Sequence, residues 1–186
     1  MKKIYLALGL LLTIYLALPV PKMPPTDLPE SLKSTDPGDT IQLSNVSAYF
    51  TDWDRHQVLS FYTDQAQYPG GITYRLNHPP EYARQIIRDT TQTYYLEEIV
   101  HPFKQSLFVN GFEWQNDVFT PVASRGQNAI LVDGKTWSSK VTLRWFTSNL
   151  VSRVLVFWLA WFLFYLVLTN WTKEFKQSIY LLRTKQ

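Results

Sequence analysis

Residues 140–169 read KVTLRWFTSNLVSRVLVFWLAWFLFYLVLT, and two structural patterns meet within them. Lys140–Phe146 alternates polar and apolar side chains, which is typical of a β-strand with one buried face. Val154–Thr169 has no charged residue and carries aromatic side chains on every face, which favours a transmembrane helix over a helix of a soluble core. Thr147 or Ser148 would suit the cap of that helix. The pattern predicts a folded domain joined to a membrane helix with almost no slack.

A second uncharged run, Ile4–Val20, lies at the lower limit of the length that crosses a bilayer. It fits either an uncleaved signal anchor or a cleavable signal peptide. The signal anchor is favoured, because a cleavage site needs small residues and Ala17 stands alone among larger neighbours. The uncharged part of the later run rises only about 24 Å as a helix, so that span is extended to residues 150–171. Two transmembrane helices are therefore expected.

Basic residues outside the two expected spans indicate their orientation. Lys2 and Lys3 precede the first span, and Lys and Arg are frequent in residues 172–186. The positive-inside rule then places both termini in the cytoplasm and the central domain outside the plasma membrane. The chain has no cysteine, which excludes disulfides and thiolate metal sites and fits a bacterial envelope protein.

The position of the charges argues against nucleic acid as a partner. The sequence pI is about 9.0, but residues 21–153 hold 12 Lys and Arg against 14 Asp and Glu. The basic excess lies beside the membrane, where it sets topology. The expected partners are the lipid bilayer and either a protein, an envelope polymer or a second copy of the chain.

Proline, glycine and periodicity divide the chain between the spans. Strands are predicted at Val58–Thr63 and Ile72–Leu76, a helix from Glu81 to Val100, a bend or hairpin at Asn110-Gly111 and a hairpin at Asp133-Gly134. These elements indicate an α+β domain, a mostly antiparallel sheet with one principal helix, between the two spans. The expected order is a cytoplasmic start (1–3), span one (4–20), a proline-rich linker (21–39), the extracytoplasmic domain (40–149), span two (150–171) and a basic cytoplasmic tail (172–186).

Few side chains form a pattern that suggests chemistry. On an extended strand, Asp52, Asp54 and His56 would share one face and could approach a divalent cation, although a solvated turn is the favoured explanation. On a helix, Glu97 and Glu98 would lie near His101, as acid–base catalysis requires, although a solvated helix face is the simpler explanation. No motif for a nucleotide or another cofactor is present, so no cofactor is expected.

Three small residues recur every four positions in the first span. Gly9, Thr13 and Ala17 would lie on one helical face, where a second helix could approach closely. The expected contact is with the second span or with the same helix of another copy.

The sequence leaves three functional hypotheses. The first is a non-enzymatic envelope protein whose outer domain binds a partner or assembles with itself. The second is a membrane-bound hydrolase or metal-dependent enzyme that uses the acidic and histidine residues named above. The third is an accessory subunit of a larger membrane complex.

Overall fold

The computed structural model describes residues 2–37, 39, 44–79, 81–83, 94–117 and 120–183, and only the backbone of 176 and 178–183. The chain forms two compact units: the helices near its ends are one, and Pro19–Thr147 is the other. The elements, in chain order, are α1 (Lys2–Ala17), β1 (Leu32–Lys33), β2 (Val46–Thr51), α2 (Arg55–Gln65), β3 (Tyr74–His78), β4 (Tyr95–His101), β5 (Gln105–Glu113), 3₁₀ turns at Trp114–Asn116 and Val122–Asn128, β6 (Ile130–Val132), β7 (Lys135–Trp137), β8 (Ser139–Thr147) and α3 (Leu150–Arg183).

A six-stranded antiparallel sheet forms the centre of the domain, in the order β1-β2-β8-β5-β4-β3. The central strands β5 and β8 pair over their full lengths, from Gln105 opposite Thr147 to Glu113 opposite Ser139. The predicted α+β class with an antiparallel sheet is confirmed, and so is the strand predicted at Lys140–Phe146.

Helix α2 packs on one face of this sheet, and the strand predicted at Val58–Thr63 is wrong. Asp54 caps the helix: its side chain accepts from the Gln57 N–H, and the Gln57 side chain accepts from the Asp54 N–H. This capping box starts a helix that buries Val58, Leu59 and Tyr62 against the sheet. The apolar residues of this short run fit the spacing of a strand as well as that of a helix, and the capping box favours the helix.

The helix predicted from Glu81 to Val100 is also wrong over its second half. Residues 81–83 are helical and 84–93 lie outside the described residues, but Tyr95–His101 is strand β4. Strand β4 lies between β3 and β5 and is buried on both faces, so its sequence does not alternate. Without alternation, its apolar residues resemble a helical pattern.

The bend predicted at Asn110-Gly111 is wrong, because β5 runs through it without a break. Gly111 instead makes room for a ring: a Cβ at this position would lie 2.1 Å from carbons of Tyr95. Glycine within a strand permits such a close approach. The hairpin at Asp133-Gly134 is confirmed, with positive φ angles of 52° and 74° at the two turn residues.

The proline-rich segment predicted to be a linker contributes to the folded domain. Leu28 is 3% exposed and belongs to the main hydrophobic core. The Tyr49 hydroxyl donates to Asp27 over 2.6 Å, and Lys33 lies 3.0 Å from the same carboxylate. Strand β1 then pairs with β2. These contacts attach the segment to the sheet.

One helix among the described residues is long and apolar enough to cross a membrane, where two were predicted. It covers Leu150–Phe175, 26 residues within α3. Helix α1 has 16 residues and rises only about 24 Å, less than the hydrocarbon core of about 30 Å. The apolar run continues to Val20, but the helix ends at Ala17, shortly before Pro19.

Candidate functional site

The three residues predicted as metal ligands do not form a site. Asp52 lies 2.7 Å from Lys135 Nζ and accepts from the Ser138 N–H over 3.1 Å. Asp54 caps α2, and His56 is exposed on that helix. Among the described residues, no group of three His, Asp or Glu side chains could hold a metal ion. The two carboxylates make structural contacts instead.

The second predicted group is separated by the strand on which it lies. Glu97 and Glu98 are neighbours on β4, so their side chains point to opposite faces of the sheet. Glu98 lies 3.3 Å from His78 Nε2, whose ring stacks against Phe108. His101 shares a face with Glu97 but lies four residues farther along, roughly 13 Å away in a strand. The acid–base arrangement expected on a helix is absent.

Glu97 is a buried carboxylate with two cationic partners. It is 1% exposed, and an Arg55 guanidinium nitrogen donates to its Oε1. Arg75 Nε lies 3.2 Å from Oε2. Arg55 also lies over the Tyr95 ring at 5.2 Å and donates to Asn77. Both guanidinium groups remain partly exposed to solvent. The ion pairs connect the start of α2 and strand β3 to Glu97 on β4.

A small cavity lies between the end of α2 and β4. Its volume is about 30 Å³, and Pro21 and Met23 form part of its wall. Three buried polar atoms in its lining have no hydrogen-bond partner in the described structure: Tyr62 Oη, Gln65 Nε2 and His101 Nδ1. These atoms are polar groups in a lining that is otherwise largely apolar.

The hydrogen-bond roles around this cavity follow from its neighbours. His101 Nε2 lies 2.8 Å from the Ala66 carbonyl, which can only accept, so Nε2 carries the proton and Nδ1 is an acceptor. Burial lowers the pKa of His101, opposed by that hydrogen bond, and burial raises the pKa of the Tyr62 hydroxyl. Tyr62 and Gln65 supply donors. One or two water molecules fit this space and these donors and acceptors, whereas ordinary ligands need about 300 Å³ or more.

The small residues of α1 occupy different environments. Gly9 is buried against α3, and a Cβ there would lie 2.8 Å from Trp161 Nε1. Thr13 donates to the Gly9 carbonyl over 2.8 Å within its own helix, and Ala17 is exposed. Tyr5 stacks on Trp161 with ring centroids 4.4 Å apart. Of the three predicted packing residues, Gly9 is the one shown in close contact with α3, and Tyr5 packs against the same Trp161.

The outer strand β3 was missed as a functional candidate. It is the last strand of the sheet, and Tyr74 and Leu76 are each more than two-fifths exposed. The signal was available: Tyr74 and Leu76 alternate with Arg75 and Asn77 after a glycine-rich turn. Only the strand order identifies it as an edge.

Comparisons of the chain with protein-family models, with curated proteins and with solved structures found no match.

Proposed function

We propose that this chain is a two-span envelope protein that presents an extracytoplasmic protein-binding domain. Both termini lie in the cytoplasm, and residues 19–147 form the outer domain. The partner docks along the outer edge of β3, where no strand pairs among the described residues. That exposed edge strand is the observation that carries the binding function.

The terminal helices support the membrane assignment. The candidate span in α3, Leu150–Phe175, rises about 39 Å, which matches a bilayer with its head groups. In α1, Leu6 and Leu10 are each more than half exposed, which suits a lipid environment. Lys2 and Lys3 extend the short α1 to the head groups by snorkelling. Tyr5 contacts Trp161 and Tyr165, whereas Gly9, later in α1, contacts the earlier Trp158 as well as Trp161. The two helices are therefore antiparallel, as expected for two spans joined by an outer domain.

The edge of β3 supports protein binding by strand addition. Within the part of the chain that the structure describes, no strand pairs with the outer side of β3. An unpaired edge presents a row of N–H and C=O groups to which a partner strand can bind. Tyr74 and Leu76 lie on one face and Arg75 and Asn77 on the other. A partner would therefore meet an apolar face and a polar face.

The geometry gives the hydrolase hypothesis little support. Glu97 and Glu98 lie on opposite faces of β4, His101 lies roughly 13 Å from Glu97, and Asp52 and Asp54 make structural contacts. The small cavity beside His101 has room for water rather than for a substrate. A binding domain requires neither a gathered acid–base pair nor a large cleft.

Photo-crosslinking in native membranes tests the proposal. A photoreactive amino acid at Leu76 should give an adduct of defined mass, while the same probe at Leu131, also exposed, should not. An adduct of twice the chain's mass would identify a second copy as the partner. No adduct at Leu76, or equal adducts at both sites, would contradict docking at the edge.

Topology has its own test, because the chain lacks cysteine. A membrane-impermeant maleimide applied to intact spheroplasts should label Leu131→Cys, in the outer domain. A cysteine added after Gln186 should react only after lysis. Labelling of the C-terminal cysteine in intact spheroplasts would overturn the orientation.

A further inference from the structure

One end of the sheet lies next to the point where the chain leaves the domain for α3. Strand β8 ends at Thr147, and only two residues separate it from Leu150. Three residue steps reach at most about 11 Å. Because β5 is antiparallel to β8 and pairs Gln105 with Thr147, the turn between β4 and β5 lies at this same end. We call this end, from Pro102 to Lys104 with its neighbours, the rim.

Phe103 is the most exposed apolar residue of the rim. It is 84% exposed at the middle of the three-residue turn between His101 and Gln105. Its φ angle of 62° lies in the left-handed region, where a bulky aromatic residue is uncommon and glycine or asparagine is favoured. Glycine or asparagine would suit this backbone better. An apolar environment would favour the exposed phenylalanine ring.

Other apolar side chains surround this turn. Ile72 is 56% exposed, and its neighbour Thr73 donates to the same Ala66 carbonyl that His101 binds, which places it at the rim. Phe146, 47% exposed, is opposite Ser106, one step from the last rung of the sheet. The exposed Lys22 follows Pro21, whose carbonyl accepts from Gln105. Aromatic residues and a lysine are typical of the membrane interface.

We propose that the rim enters the head-group region of the bilayer, with Phe103 as its apolar anchor. The proposal, which rests on the membrane anchoring stated under Proposed function, follows from the position of Thr147. The 26-residue segment Leu150–Phe175 of α3 is about 39 Å long, and Arg153 and Lys173 lie near its ends, so a helix of this length uses the head-group layer as well as the hydrocarbon core. Thr147 then lies at the membrane surface. Phe103, at the tip of the β4–β5 hairpin, lies two residues beyond Gln105, which pairs with Thr147.

The anchoring restricts how the domain faces the membrane. The covalent links to the two spans by themselves leave the domain able to tilt at the membrane surface. A further contact with the head groups at Phe103 opposes that tilting. The edge strand β3 would then hold a defined orientation relative to the membrane surface.

Spin labelling of the full-length protein in phosphatidylcholine–phosphatidylglycerol vesicles tests the anchor. Single cysteines replace Phe103, Leu131 and Leu159 in the cysteine-free chain. Leu131 is 68% exposed on the hairpin at the opposite end of the sheet, and Leu159 is 62% exposed on α3. Power saturation compares collisions of each nitroxide with oxygen, which enters lipid, and with a water-soluble nickel chelate.

The Phe103→Cys label should show a several-fold higher oxygen-to-nickel ratio than the Leu131→Cys label, below that of Leu159→Cys. A lipid-like signal at 159 with a water-like signal at 103 would overturn the anchor and leave the membrane assignment standing. A water-like signal at 159 would overturn both. Dipolar broadening at 103 that disappears on dilution with unlabelled protein would assign the rim to contact between copies, also against the proposal.

Discussion

Glu97 shows how one residue acquires its role from its neighbours. As a carboxylate in the sequence it resembled half of an acid–base pair, but it lies buried between Arg55 and Arg75. Buried carboxylates require partners because an unpaired charge is costly to desolvate. The residue is therefore expected to stabilise the domain.

Glu97→Gln should lower the stability of the domain by about 1–3 kcal/mol, because it removes the charge that both arginines meet while keeping the side-chain volume. The arginines can still be solvated, which limits the cost. Thermal unfolding of the full-length protein in detergent measures the change. Glu98→Gln is the control, since Glu98 lies against His78 rather than between two arginines, and equal shifts for the two variants would contradict the assignment.

His101 should make stability depend on pH. Burial lowers its pKa in the folded state, so the unfolded chain binds the proton more readily. Stability is then highest above the ordinary histidine pKa of about 6.5 and falls as the pH drops below it. The advantage of the native protein over His101→Gln, whose amide can still donate to Ala66, should shrink between about pH 7 and pH 5. A difference in melting temperature that stays constant over that interval would disprove the pH dependence.

At the scale of single elements, the start of α2 can be recognised from the sequence, whereas the reason for the glycine in β5 cannot. The capping box of α2 involves residues three apart, so it could have been recognised from the sequence. The glycine in β5 resembled a turn signal, because the ring of Tyr95 that it accommodates comes from another strand.

Asp54→Ala should cost about 1 kcal/mol by removing the cap of α2. Asp64→Ala, at the exposed far end of the same helix, provides a matched control and should have little effect. Thermal unfolding with and without a chelator also tests the metal hypothesis. A melting temperature that falls with the chelator in the native protein but not in Asp54→Ala would favour a metal site over a cap.

Gly111→Ala should destabilise the domain by about 1–3 kcal/mol, because the new Cβ overlaps the buried Tyr95 ring and neither strand can move freely. Gly126→Ala is the control, since a Cβ there meets nothing within 4 Å. Denaturant unfolding in detergent compares the two. Similar midpoints for both variants would show that the sheet adjusts to the added carbon.

For the whole molecule, the start of the folded unit decides what can be separated from the membrane helices. A fragment of residues 19–147 should unfold cooperatively, whereas a fragment of residues 40–149 should be less stable or fail to fold. The shorter fragment lacks Leu28, whose burial contributes about 2 kcal/mol, together with β1 and the Asp27–Tyr49 bond. Circular dichroism during thermal unfolding measures both. Equal melting temperatures would mean that the proline-rich segment adds nothing to the core.

Local composition and turn chemistry by themselves determined the membrane-length helix, the α+β class, β8 and the Asp133-Gly134 hairpin. Each depends on residues adjacent in the chain: an uncharged run, strict alternation, or two residues that adopt positive φ. Tertiary structure decided the rest. Burial on both faces made β4 resemble a helix, a distant ring explained Gly111, and packing against the sheet recruited Leu28 from a segment that looked like a linker. The candidate metal and acid–base groups belong to this second class, because strand order and pairing between distant residues, rather than spacing, set which side chains meet.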